Sequence, residues 1–210
     1  MFCFWKKQYK GLETEVSGIR FRHPLDFTTL TPPQTNILQW ITDLRAAHGN
    51  RILAVNIKTD IVRTFSLVYD FGDLLIVDPD SASAGIEGAD ISDTKAILDE
   101  LVNLRLCYER YRPIWLKLSV AMDPEEARLL LNFCRLSGID GVVVPSGKRI
   151  KATLADTQGR LPVMGIPKTE EEALGMLQDG ASLLDASLLR PITQKKLLKT
   201  LEKQALQVHD

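Results

Sequence analysis

Cysteine and histidine are both scarce in this chain, with three of each in 210 residues. Cys3, Cys107 and Cys134 form no C-x-x-C pair, and His23, His48 and His209 stand alone, without H-x-H or H-E-x-x-H spacing. A metal centre needs several such ligands brought together, so none is expected. Cys107 and Cys134 lie within the apolar helical patterns NLRLCYER and LLNFCRLSG. They read as reduced packing residues of a cytoplasmic protein rather than as a disulfide framework. An excess of either charge is also missing: 26 Lys and Arg face 27 Asp and Glu, for a net charge of -1. No global basic field is present to hold nucleic acid by counterion release. No apolar run approaches the ~20 residues that span a bilayer. In the opening MFCFWKKQYK the apolar cluster precedes the lysines, the reverse of a signal peptide. Phe2, Phe4 and Trp5 are therefore expected to pack on their own domain.

What is present is 45% hydrophobic residues in a chain of this length, enough for one sizeable core, and residues 1–210 are expected to form a single domain. After a stretch that alternates about Gly18 in the manner of a hairpin, LETEVSGIRFRHPL, the sequence repeats one beat: a short β-rich run, a loop, an amphipathic helix. The runs fall at 27–30, 51–57, 73–78, 113–119, 141–145, 161–166 and 181–188. The helical patterns between them include SDTKAILDELVNLRLCYERY and DPEEARLLLNFCRLSG. Asp123 with Pro124 opens one helix and Gly138 closes it; Thr169 and Gly180 repeat the plan. Such alternation predicts an α/β fold with a parallel sheet and helices outside it. No glycine-rich dinucleotide fingerprint follows the first strand, which favours a shortened TIM-type (β/α) barrel with an N-terminal β-hairpin over a doubly wound open sheet.

Within this frame the stretch LLIVDPDSASAG, residues 74–85, has the form of a buried parallel strand that ends in a polar loop. Asp78, Asp80 and Ser81 crowd its end. Either an Asx-type turn or a catalytic loop accounts for them. Lys117, inside the apolar run PIWLKLS, is costly to bury without a partner. An ion pair with Asp78 and a contact to a ligand are equally good reasons for it.

In collinear order, several segments resemble the dihydroorotate dehydrogenases, the FMN-dependent barrels of pyrimidine biosynthesis. These are VSGIRFRHPL, TTLTPPQ, ILAVNIKTD, YDFGDLLIVDPDSASAG, PIWLKLS, SGIDGVVVPSG, GRLPVMGI and DGASLL. The resemblance implies an oxidoreductase barrel. It places Lys117, Asn56, Thr29 and Gly165 against FMN, puts Asp80 or Ser81 at the catalytic base, and sets Asp78 and Ser146 beside the substrate.

Departures from the family fall where its chemistry lies. His23-Pro24-Leu25 runs almost directly into Asp26-Phe27, so that about one strand, a helix and the substrate loop are missing. The family's phosphate-binding glycines are reduced to Gly165-Ile166-Pro167-Lys168, and the pair after the last strand to Asp185-Ala186-Ser187. Backbone amides approach a phosphate closely only where glycine allows it. Two functions are therefore expected as alternatives. In the first, the barrel has lost FMN and catalysis and serves as a binding, regulatory or assembly module with room for a small-molecule ligand. In the second, it is a working FMN enzyme oxidising dihydroorotate to orotate. A shortened barrel also exposes an edge, which a homodimer would cover.

Overall fold

The computed structural model describes residues 12–48, 51–79 and 90–207. Its first element is the hairpin: β1 (Thr14–Val16) and β2 (Ile19–Phe21) pair antiparallel around Ser17 and Gly18, both at positive φ. The repeated beat follows as β3 (Thr28–Leu30), α1 (Ile37–His48), β4 (Leu53–Ile57), α2 (Ile61–Val68), β5 (Leu74–Val77) and α3 (Ile91–Arg105). It continues as β6 (Ile114–Lys117), α4 (Pro124–Ser137), β7 (Gly141–Val144), α5 (Ile150–Asp156), β8 (Val163–Gly165), α6 (Glu170–Gln178), β9 (Leu183–Leu184) and α7 (Pro191–Gln207). Strands β3 to β9 form one parallel, curled sheet in sequence order. This is a shortened TIM-type α/β barrel. The segment at Pro24, whose carbonyl accepts a hydrogen bond from Leu184 N–H at 2.9 Å, reaches across from the hairpin to β9.

Side chains alternate across the strands, as the period of two requires. Val55, Ile57, Leu75, Val77, Leu116, Val142, Val144 and Leu184 face the helices and build the larger core. Ala54, Leu74, Ile76, Trp115, Val143, Met164 and Leu183 face inward, and Val16 and Phe21 of the hairpin pack beneath them. The hairpin thus plugs the N-terminal end of the barrel. Trp115 donates its indole N–H to Ser17 Oγ at 3.2 Å, and Ser17 Oγ donates to the Asp140 carbonyl at 3.0 Å. Gly141, paired in register with Trp115, lies so close to the indole that a Cβ there would collide with the ring.

Carboxylates fix the strand starts. Asp73 accepts from Leu53 N–H at 3.0 Å and from Arg112 at 3.2 Å; Asp140 accepts from Ile114 N–H at 2.8 Å and from Arg105 at 2.6 Å. Helix caps form where the sequence places them. Asp123 accepts from Glu125 N–H, Thr169 accepts from Glu172 N–H, and Gly138 closes α4 with φ of 89°.

Two expectations need correction. The pattern at 92–111 is not one helix: α3 stops at Arg105, and Cys107 is exposed in the turn beyond it rather than packed. There the amides of Leu106, Cys107 and Tyr108 bond three residues back, a tightening that ends a helix. The chain leaves α3 so that Tyr108 stacks on Tyr69, with ring centroids 3.9 Å apart. The β-rich run at 181–188 yields only Leu183–Leu184 as strand. Asp185 accepts a hydrogen bond from Ser187 N–H at 3.0 Å, which turns Ala186–Leu188 into a 3-10 turn.

Candidate functional site at the barrel mouth

Inward-facing residues change character along the strands. Toward the N-terminal end they are apolar, whereas at the C-terminal ends stand Thr29, Asn56, Asp78, Lys117 and Asp185. Each position follows from the pleat: Asn56 is two residues beyond Ala54, Asp78 two beyond Ile76, Lys117 two beyond Trp115 and Asp185 two beyond Leu183. The C-terminal mouth is where (β/α) barrels assemble their sites.

Lys117 and Asp78 meet there, Nζ to Oδ2 at 2.7 Å; the Asp78 side chain is 4% exposed and that of Lys117 24%. The lysine therefore keeps one side toward the mouth while it neutralises a buried carboxylate. An ammonium has three donors, so the pair leaves Lys117 capacity for a ligand. Asn56 is 8% exposed, and its Oδ1 has no hydrogen-bond partner; neither has the buried Oγ1 of Thr29 on the adjacent strand. A buried polar atom without a partner costs about 1–3 kcal/mol, and two at one rim mark a place where a ligand would repay that cost.

Across the mouth the donors are already used. Lys168 N–H donates to Glu172 Oε2 at 2.8 Å, Ser187 N–H donates to Asp185 Oδ1, and Pro167, buried and immediately before Lys168, has no N–H. Gly165 does not open a close approach to the mouth: a Cβ on it would meet Met176 Sδ at 2.5 Å and Leu184 at 3.3 Å, so its bareness serves the packing of α6 on the sheet. An FMN phosphate at this turn would meet two carboxylates and a proline ring in place of converging amides. The residues do not fit it.

Ser146 is half-buried at the end of β7 and leads into a 3-10 turn, Gly147–Arg149; its side chain caps nothing. Asp80 and Ser81 lie outside the described residues. Thr29, Asn56, Asp78 and Lys117 are thus brought to one rim, while Gly165 turns outward. Sequence reading did not foresee that Glu172 would take the Lys168 amide. The Thr169-x-x-Glu172 spacing of a capping box signals a glutamate that turns back toward the start of its helix; here it takes the Lys168 amide, one residue before the cap. Among the described residues no group of histidine, cysteine or carboxylate could hold a metal ion, and no helix is long and apolar enough to cross a membrane.

No protein-family profile and no curated protein matches the chain. Solved structures do. DHODH of Eimeria tenella in complex with ferulenol superposes with a TM-score of 0.76 at 12% identity, over 93% of this chain and 84% of that one. The ligand-free form of the same enzyme gives 0.73 at 13% identity, over 94% and 90%. The chain shares the barrel fold of these DHODH structures. A mandelate oxidase structure matches less closely, at a TM-score of 0.56 and 11% identity, over 91% of this chain and 76% of that one. Another structure of that oxidase carries an FMN adduct.

Proposed function

We propose that this chain is a barrel of the dihydroorotate dehydrogenase fold that does not hold FMN or oxidise dihydroorotate, and that it works as a binding or regulatory module through its polar mouth. One observation carries the reading: the amides of Lys168 and Ser187 are satisfied by the chain's own carboxylates, Glu172 and Asp185. Anion binding depends on unsatisfied N–H groups, and here the anions are built in. The ligand is a small molecule with a hydrogen-bond donor for Asn56 Oδ1, a polar atom for Thr29 Oγ1 and an acceptor for Lys117. The protein acts in the cytoplasm and forms a homodimer; light scattering tests the latter, and a monodisperse monomer at high concentration removes it.

The decisive experiment is calorimetric titration of the purified chain with FMN, together with its visible spectrum. The expected result is a colourless protein, no heat and no change in Tm. A ligand at a hundred times its Kd would stabilise by about 2.7 kcal/mol, so tight binding could not pass unseen. Flavin absorbance that survives gel filtration overturns the reading.

A second reading is favoured by the unpartnered Thr29 Oγ1 and Asn56 Oδ1, which stand where the resemblance places flavin contacts. On that reading the protein is an FMN-dependent oxidoreductase of pyrimidine biosynthesis, with Asp80 or Ser81 as base and Asp78 and Ser146 at the substrate. Turnover of dihydroorotate with a quinone or fumarate acceptor would establish it.

A further inference from the structure

A gap lies on the outside of the barrel seam, beside the edge strand β3. Between the segment Leu25–Thr28, the lead into β4 at Arg51 and Ile52, and α7 at Gln194 lies an open cleft of about 770 Å3. Arg20, Arg22 and Arg51 line it, and Asp26 is the sole carboxylate among the lining residues, in a chain whose net charge is -1. Basic charge is therefore concentrated here against the average of the molecule.

Asp26 is fully engaged. It accepts from Arg22 Nε at 2.7 Å, from Arg22 Nη2 at 2.5 Å and from Arg22 N–H at 2.9 Å. The other two guanidinium groups are available. Arg20 meets Glu13 at 2.5 Å, but the two side chains are 76% and 46% exposed, and such surface pairs are readily exchanged. Arg51 is exposed and makes no ion pair with the described residues. Leu25, Phe27 and Ile52 are half-buried and give the cleft an apolar side. Gln194 donates to the carbonyls of Ala186 and Leu189, both at 2.9 Å, which fixes the α7 wall.

We propose that this seam cleft binds a phosphorylated small molecule with an aromatic body, of the class of a nucleoside diphosphate. Arg20 and Arg51 grip the phosphates, since the planar guanidinium fork matches phosphate oxygens. The aromatic body lies on Phe27 and Ile52. This site is separate from the barrel mouth: none of Asn56, Asp78 and Lys117 lines it.

Titration calorimetry of the full chain with ADP, inorganic pyrophosphate and adenosine tests it. ADP is expected to bind more tightly than either of the others, and more weakly as salt is raised. Arg20→Ala combined with Arg51→Ala, two exposed positions, should weaken ADP by about tenfold or more with Tm unchanged. No heat with ADP overturns the proposal, as does a double variant that binds ADP like the parent. Pyrophosphate binding as tightly as ADP overturns it too, because the apolar side then contributes nothing. ADP keeps this test independent of FMN binding at the mouth; any FMN heat abolished by the two arginine substitutions belongs to the cleft.

Discussion

Lys117 and Asp78 face each other one register step beyond the Leu116–Val77 pair of β6 and β5, with Nζ 2.7 Å from Oδ2. The parallel ladder alone brings them together, so the pair forms as soon as the two strands align. Its energetics follow from unequal burial.

Lys117→Met leaves the nearly inaccessible Asp78 carboxylate without its counter-charge. Breaking a buried pair from one side costs about 3–5 kcal/mol; the partial exposure of Lys117 lowers the expected loss to about 2–4 kcal/mol. Adding Asp78→Asn to Lys117→Met should recover most of it. Urea unfolding of the parent, both single variants and the double variant gives the coupling energy directly. A Lys117→Met protein of unchanged stability would show that the lysine is kept for a ligand instead of for Asp78.

Gly141→Ala should destabilise through a rigid neighbour. Trp115 is fully buried, is tied to Ser17 by its indole N–H, and already occupies the space of a Cβ at 141. Overpacking of this kind costs about 1–3 kcal/mol, and the ring has no room to turn without giving up its hydrogen bond to the hairpin. Denaturant midpoints should fall for Gly141→Ala and partly recover when Trp115→Leu is added.

The strands and helices were legible because parallel strands buried on both faces read as continuous apolar runs, and because Asp123, Gly138, Thr169 and Gly180 mark helix ends by local chemistry. The pairing of Lys117 with Asp78 was legible only as one of two readings, since a cation in such a run requires either a counter-charge or a ligand. The contact of Trp115 with Gly141 was not, because it joins residues that only the ladder register places side by side. Nor was the early end of α3: Tyr108 leaves the helix for a ring on α2's far end, Tyr69, and no pattern within residues 92–111 reports that contact. Asp80 and Ser81, one of which the resemblance puts at the catalytic base, fall outside the described residues, so the candidate site is legible at its rim and not at its loop.

Acid should weaken the barrel seam. His23 is 8% exposed, its Nδ1 accepts from Leu25 N–H at 3.2 Å, and it precedes the proline that reaches β9. Burial pulls its pKa below the ordinary 6.5; Asp26 opposes that shift and Arg22 reinforces it. An imidazole with a lowered folded pKa takes up its proton more readily when the chain unfolds. Its contribution to stability is therefore present above about pH 6.5 and is lost as pH falls from there toward the folded value. Protonation at Nδ1 would also remove the acceptor for Leu25. Thermal unfolding between pH 7.5 and pH 5 should show the decline, and His23→Gln, which does not titrate, should flatten it over that window.

If built-in carboxylates are what keeps phosphate from the turn after β8, removing them should admit it. Pro167→Gly restores an N–H and allows close approach; Glu172→Ala releases the Lys168 amide, and Asp185→Ala releases that of Ser187. Each lost cap costs about 0.5–2 kcal/mol, so the triple variant should melt earlier than the parent while remaining folded. Its affinity for FMN should rise relative to riboflavin, which has the same ring without the phosphate, and that difference isolates the turn from everything Thr29, Asn56 and Lys117 contribute at the opposite rim. A folded triple variant that separates the two flavins no better than the parent would mean that the ring end, not the phosphate end, decides against the cofactor.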